Sequence, residues 1–305
     1  MQTKVAAYIT CYQDQESANR CIQAIGAQSV QVKAIYIVDN SNQPLLLNNK
    51  NGLLIIHHYP DNIGIIGGMV QAIEWAIAEG YDFLWTFDQD SVPSENCLEI
   101  LIATYNEVTQ RNNYKVGIVA PTPSDPRTGR IIEGAVFCGD RFRGIKHNND
   151  VDFYECDSPI TSGSLISLAS TQDVPPPSID LFIDGIDLDY GFRLRKKGFR
   201  NLIASKATMH HNYGNPIIVK FMYKFRQVQQ YTALRHYYIC RNHTYLEMQF
   251  SQGYYRFTSL IQRLKYMFIN ILWITLYDSS DKQSKIWACL LGTYHGLLGK
   301  LGKTW

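Results

Sequence analysis

Two carboxylates one residue apart, Asp88 and Asp90, close the run Asp82-Phe83-Leu84-Trp85-Thr86-Phe87-Asp88-Gln89-Asp90-Ser91. The residues before them are apolar and aromatic, as in a buried strand. Side chains of a strand alternate faces, so Asp88 and Asp90 are expected to point the same way. Open α/β sheets place their ligand crevices at the carboxyl ends of strands. Hard oxygen ligands there suit Mg2+ or Mn2+, which keep waters and are completed by substrate phosphates. The expected chemistry is metal-assisted handling of a diphosphate. A strand that ends in a solvated acidic turn is the plain alternative.

Other stretches carry reactive types at strand or helix ends. Asp39-Asn40 could read a base or ribose, or cap its own turn. Asn62-x-Gly64-x-x-Gly67-Gly68 opens a helix, where glycines let backbone approach a ligand and the N-terminus favours anions; close packing of helix on sheet reads equally well. Its spacing fits neither a Rossmann fingerprint nor a P-loop. Asp184, Asp187 and Asp189 lie at the start of a helix. Asp184 can cap it, and Asp189 pairs with Arg193 at i, i+4. Asp187 has no evident structural duty and is the general-base candidate, a surface acid that stabilises the helix dipole being the alternative. His210 or His211 could supply a third metal ligand. Arg241, on a basic aromatic helix, could meet a phosphate or belong to a solvated face.

The elements that must position these residues alternate. Strand patterns at Val5–Thr10, Ala34–Val38, Leu53–His57 and around Trp85 are interleaved with helices at Asp14–Ala27 and Ile65–Glu79. That order predicts an open, mostly parallel sheet with helices on both faces. A helix over Glu95–Gln110 and a strand over Val116–Ala120, stopped by Pro121-Thr122-Pro123, follow. Residues 124–157 read as loops with short strands, Thr161–Leu168 as a strand, Ile186–Lys197 as a helix and Leu202–Ala204 as a last strand. After Pro216 the pattern reads as helical to the end. The expected division is a catalytic domain over 1–215, with a donor half at 1–92 and an acceptor half at 93–215, and a helical extension over 216–305.

The chain has 305 residues and a net charge of +2. Residues 219–305 hold 12 Lys and Arg against 3 acids, whereas residues 1–218 hold 17 against 24. Such a split predicts an acidic, metal-using body and a basic tail with an anionic partner. The 7 cysteines are scattered with no Cys-x-x-Cys, which argues against a disulfide framework or zinc site and fits a reducing cytoplasm. No signal peptide is expected from the N-terminal residues. The most apolar tail segment, Tyr266 to Tyr277, is far shorter than the roughly 20 residues a spanning helix needs. The Tyr254–Tyr277 stripe with its flanking bases could instead dock on the inner face of a membrane, or pack on the body or a second subunit.

Together, Val38-Asp39-Asn40-Ser41, Asn62 to Gly68, Thr86 to Ser91, and Phe182-Ile183-Asp184 through Arg193 resemble the inverting glycosyltransferases of family 2, and most the bacterial rhamnosyltransferases of O-antigen synthesis. The resemblance implies a GT-A fold and a nucleotide-sugar donor, dTDP-L-rhamnose foremost, with a lipid-linked glycan acceptor and no nucleic acid. It implies donor contacts from Thr10, Asp39, Asn40, Asn62, Gly64, Gly67, Gly68, Asp88 and Gln89. Asp88, Asp90 and, of the two histidines, His211 become the metal set for Mg2+ or Mn2+. Asp187 becomes the base, and Ser162, Gly163, Asp189 and Arg241 are expected as acceptor or phosphate contacts. A cytoplasmic protein held peripherally at the membrane, with a homo-oligomer open, completes the expectation. The rivals are another donor sugar, a nucleotidyltransferase, or a sugar-nucleotide-binding module.

Overall fold

The structure is a computed structural model that describes residues 3–49, 52–112 and 114–305. In chain order its elements are β1 (Val5–Cys11), α1 (Gln15–Gly26), β2 (Ala34–Asp39), β3 (Leu54–His58), α2 (Gly64–Ala78), β4 (Phe83–Asp88), β5 (Ser91–Pro93) and α3 (Cys97–Asn112). Next come β6 (Val116–Asp125), β7 (Arg130–Ile131), β8 (Ala135–Phe137), β9 (Phe142–Gly144), β10 (Phe153–Cys156), β11 (Leu165–Ser167), α4 (Ile186–Lys196) and β12 (Arg200–His211). The chain ends with β13 (Pro216–Phe221), β14 (Lys224–Gln229), α5 (Ala233–Phe250), α6 (Tyr254–Tyr277) and α7 (Lys282–Leu298). The chain divides into two compact units. One holds residues 1–136, 144–179 and 189–212; the other holds 137–143, 180–188 and 213–305.

The first unit is built on a sheet of order β10-β12-β6-β11-β4-β1-β2-β3, with β5 added to β12 and β7 to β6. β4, β1, β2 and β3 run parallel, as do β6 and β12; β11 is antiparallel between β6 and β4. Every residue of β1 and β2 is buried, as parallel strands covered on both faces require. Asp14 caps α1 by accepting from the Ser17 amide at 2.9 Å. Trp85 is fully buried, and its Nε1 donates to the Gly163 carbonyl at 2.8 Å, so the largest core side chain has its polar atom satisfied.

Two strands run longer than their patterns predict. β6 passes through Pro121 and Pro123 to Asp125, and the pairing with β12 shifts register between Ile203 and Thr208. Pro121 has no N–H for the ladder, so β12 bulges opposite it instead of ending. β12 therefore carries His210 and His211 within a strand, not on a following loop.

In the second unit the segment after Pro216 is not helical. β13 and β14 form an antiparallel hairpin, closed by the two residues Met222-Tyr223 between the Phe221–Lys224 pair. Branched and aromatic residues at alternate positions favour a strand over the helix expected there. Three helices follow. A Cβ on Gly292 or Gly296 of α7 would collide with the Tyr237 or Arg241 carbonyl of α5, so only glycine allows this approach of the two helices.

Candidate functional site

The carboxyl ends of β1, β2 and β4 lie side by side: Thr10 is in register with Asp88, and Cys11 with Asp39. Asp88 is the last residue of β4, and Gln89-Asp90 form a turn into β5. The two carboxylates thus converge through a turn and not through strand alternation. β5 pairs antiparallel with the end of β12, placing Ser91 opposite His211. That pairing brings the acidic turn to the histidine.

One ligand atom each from Asp88, Asp90 and His211 lies within 4.8 Å of the others. His211 Nε2 is 4.0 Å from Asp88 Oδ2, and its Nδ1 is 3.2 Å from Asp90 Oδ1. His211 is buried while His210 is exposed, because β12 alternates faces here. Two carboxylates and an imidazole form a donor set that fits Mg2+ or Mn2+, with positions left for phosphate or water.

A hydrogen-bonded layer supports the three. Ser91 Oγ is 2.9 Å from His211 Nδ1 and 2.6 Å from Ser162 Oγ, and Ser162 Oγ accepts from the Asp88 amide at 3.0 Å. Gln89, expected at the donor, clasps the backbone of Tyr12. Its Oε1 accepts from the Tyr12 N–H at 2.7 Å and its Nε2 donates to the Tyr12 carbonyl at 3.0 Å. Gly163, at φ +80°, donates to the Thr86 carbonyl at 2.6 Å and has no room for a Cβ beside Met209 and Pro121. Ser162 and Gly163 therefore shape the site from beneath it.

The remaining donor-side residues shape loops. Asp39 is fully buried and accepts from the Ser41 and Leu45 amides at 3.0 and 2.8 Å. Asn40 Oδ1 accepts from the Ile63 amide, and Asn62 Oδ1, from a residue at φ +52°, accepts from Gly64 N, each at 2.9 Å. A Cβ on Gly68 would lie 2.6 Å from Tyr8 Oη and 3.0 Å from Val38 Cγ1, and one on Gly67 would meet Ile63 Cβ at 3.3 Å. These two glycines permit packing of α2. Asp189 binds Arg193 through two 2.9 Å bonds, while Arg193 also donates to the Pro175 and Pro176 carbonyls. That is the structural pair its spacing predicts.

In the second unit, Arg241 is fully buried. Its guanidinium donates to Asn242 Oδ1, Thr304 Oγ1 and the carbonyls of Gly302, Asp180 and Leu181. All five N–H groups are thus engaged, and the residue holds a loop where a phosphate contact was expected. Asp187, at the start of α4, is partly buried and accepts from the Leu188 amide at 3.0 Å. Burial, and then the Asp184 charge, push its carboxyl up to about 6. Asp184 itself bonds His243 Nε2 at 2.9 Å and lies 3.7 Å from Arg235. Burial works against its charge, but those partners hold it below the usual carboxylate range. Ser91 was visible only as the end of the Asp-Gln-Asp-Ser motif and His243 had no sequence signal; each acts through a neighbour that only folding supplies.

Residues 7–147 match the model of glycosyl transferase family 2. No curated protein sequence matches the chain. Among solved structures, GalNAc-T7 with UDP, GalNAc and Mn2+ superposes with TM-score 0.60 at 12% identity, over 97% of this chain and 56% of that one. This chain thus spans little more than half of that protein's length. S. aureus TarS 1-349 superposes with TM-score 0.56 at 10% identity, over 98% of this chain and 82% of that one. Its complex with UDP gives 0.51 at 11%, over 89% and 72%. The fold is therefore the GT-A fold of nucleotide-sugar-dependent glycosyltransferases, and its N-terminal portion is similar to glycosyl transferase family 2.

Proposed function

We propose that this protein is a divalent-metal-dependent inverting glycosyltransferase. The carrying observation is the Asp88, Asp90 and His211 cluster at the strand ends, whose two carboxylates lie within the stretch that matches family 2. A bound Mg2+ or Mn2+ would be held by those three side chains and would supply positive charge opposite the departing diphosphate. Asp187 is the base: it takes the proton of the acceptor hydroxyl as that oxygen bonds to the anomeric carbon. The bond from that carbon to the diphosphate breaks, nucleoside diphosphate leaves, and the configuration inverts. A carboxyl raised to about 6 stays largely ionised at neutral pH and still has useful proton affinity.

L-Rhamnose from dTDP-L-rhamnose is the leading donor, on the likeness of the Thr86–Ser91 and Phe182–Arg193 stretches to rhamnosyltransferases. The solved neighbours named with UDP support a UDP-sugar as the second reading. A screen of nucleotide sugars with Mg2+ or Mn2+, scored by nucleoside diphosphate release and product configuration, tests both. Release of diphosphate instead would mark nucleotidyl transfer, and no release with any donor would leave a binding module.

The acceptor is a lipid-linked glycan reached from the surface of an anionic membrane. Residues 213–305 carry three acids, of which Glu247 lies buried 3.5 Å from Arg263 and Asp278 lies buried 2.7 Å from Lys285. The exposed part of this unit therefore sets Asp180 and Asp281 against lysines and arginines that include Lys220, Lys224, Arg226 and Lys265. Interleaved with them are exposed apolar side chains: Phe257, Ile261, Phe268 and Leu272 on one face of α6, and Met222, Tyr223 and Phe225 on the hairpin. A second copy of so basic a surface would repel the first, whereas anionic lipid complements it. No helix of the described residues is long and apolar enough to cross a membrane.

A further inference from the structure

The loop that leads into α4 and Asp187 is held by three consecutive residues of α5. Arg241 donates to the Asp180 and Leu181 carbonyls, and Asn242 Nδ2 lies within 2.9 Å of the Leu181, Ile183 and Asp184 carbonyls. His243 Nε2 reaches Asp184 Oδ1 at 2.9 Å. The loop needs holding: Phe182 and Asp184 sit at φ +62° and +74°, a region that side-chain-bearing residues rarely adopt. Gly185, at φ +78°, lets the loop lie against α5, where a Cβ would be 3.2 Å from Leu246 and 3.4 Å from Asn242.

We propose that the Asp184–His243 ion pair is a positioning device for the transfer base, fixing the charge beside Asp187 and pinning the loop that leads into it to α5. The inference rests on the reading of Asp187 as that base. Residues held in strained backbone by several independent bonds are over-determined in position, which is what a base aligned with one hydroxyl requires. The charged surroundings are few. Asp184 comes from the loop, His243 and Arg235 from α5, and Tyr213 from the segment before the hairpin, with Tyr231 beside Tyr213. Arg263 and Glu247 act on His243. Asp184 raises the proton affinity of Asp187, and His243 lowers it. The pair therefore sets two opposing charges at fixed places next to one carboxyl.

Opposite signs make the test specific. Carboxyl-carbon NMR titration of Asp187 in the full chain needs no substrate and is read in the parent, Asp184→Asn and His243→Gln. Asp184→Asn should move the Asp187 midpoint down, and His243→Gln should move it up. Gln keeps a neutral donor to Asp184, so that arm stands if Asp184→Asn does not fold. The acid limb of kcat should follow the same two directions, with His243→Gln losing about threefold to tenfold more activity at pH 6 than at pH 8. A midpoint unmoved by His243→Gln, with only thermal stability lowered, would overturn the proposal and leave a structural contact. The base reading fails separately, if Asp187→Asn keeps near-parental transfer.

Discussion

The Ser91 hydroxyl lies 2.9 Å from His211 Nδ1. That contact turns the ring so that Nε2 faces the Asp88 carboxylate, as a second-layer partner does for a metal-binding imidazole. Ser91 is itself braced by Ser162, which also binds the Asp88 amide. Ser91→Ala should therefore raise the metal concentration needed for half-maximal turnover by about tenfold or more, with a small change in melting temperature. Turnover titrated with Mn2+, alongside thermal unfolding, checks it. A parental metal requirement would mean that His211 is oriented without Ser91.

The pH dependence of Asp187 has a definite sign. Its folded carboxyl is raised by burial, and then by Asp184, to about 6, whereas an unfolded Asp titrates near 3.9. Between those values the folded state binds more protons than the unfolded one, so the stability contribution is present below about pH 4 and is lost as pH rises through about 6. Activity runs the other way, because the base must be ionised. Asp187→Asn should abolish transfer and raise the melting temperature at pH 7 by a few degrees, roughly 1–2 kcal/mol after allowance for partial exposure. The gain should shrink at pH 4.5. Calorimetry at both pH values measures it, and equal melting shifts at the two would contradict the raised carboxyl.

Gly68 separates packing from donor contact. A Cβ there would come within 2.6 Å of Tyr8 Oη and 3.0 Å of Val38 Cγ1, both fixed in the sheet core. Gly68→Ala should cost about 1–3 kcal/mol by overpacking. Donor KM measured on the folded enzyme should stay within about twofold. A large rise in KM without loss of stability would return the glycine to the donor contacts the motif suggests.

The parallel strands were legible because β1, β2 and β4 are continuous apolar runs that stop at polar residues, and two-faced burial leaves that mark in any order of packing. The pairing of β5 with β12 left no such mark. Three residues, Ser91-Val92-Pro93, carry no period, yet their register delivers Asp90 to His211. Asp88 and Asp90 were recognisable as candidate ligands by type, whereas their convergence through a turn depends on that long-range pairing. The loop-holding place of Arg241 was hidden for a related reason. A basic helix position is the same in sequence whether it faces solvent or five protein acceptors, and the acceptors come from residues 180–181, 242 and 302–304. The hairpin after Pro216 was read as helix because aromatic and basic residues continue across it into α5 without a glycine to mark the break.

The hairpin tip breaks the rule for its own turn, and the last prediction follows from that. A two-residue hairpin loop needs positive φ at both residues, which favours Asn-Gly, or at the first alone, which favours glycine there. Here Met222 adopts φ +54°, and Tyr223 follows it at 96% exposure. A methionine where the turn favours glycine, followed by an exposed tyrosine, is a local cost, and such costs are expected where function requires them. Trp273 of α6 packs edge-on to Phe221, with ring centroids 5.1 Å apart, and Tyr277 Oη donates to the Lys220 carbonyl at 2.8 Å. The tip is therefore braced against α6, so the two apolar surfaces are held on one unit. Exchanging Met222-Tyr223 for Gly-Asn should retain or raise the melting temperature while weakening co-sedimentation with vesicles containing phosphatidylglycerol. Binding of the parent should fall with added salt and be absent on neutral vesicles, as roughly 1 kcal/mol per basic residue near the surface requires. Transfer to a short water-soluble acceptor should be unchanged in the exchange variant, because the substitution leaves the metal residues and Asp187 in place. Equal vesicle binding by parent and variant would remove the tip from the docking surface, and a parent that binds no anionic vesicle would remove the membrane reading altogether.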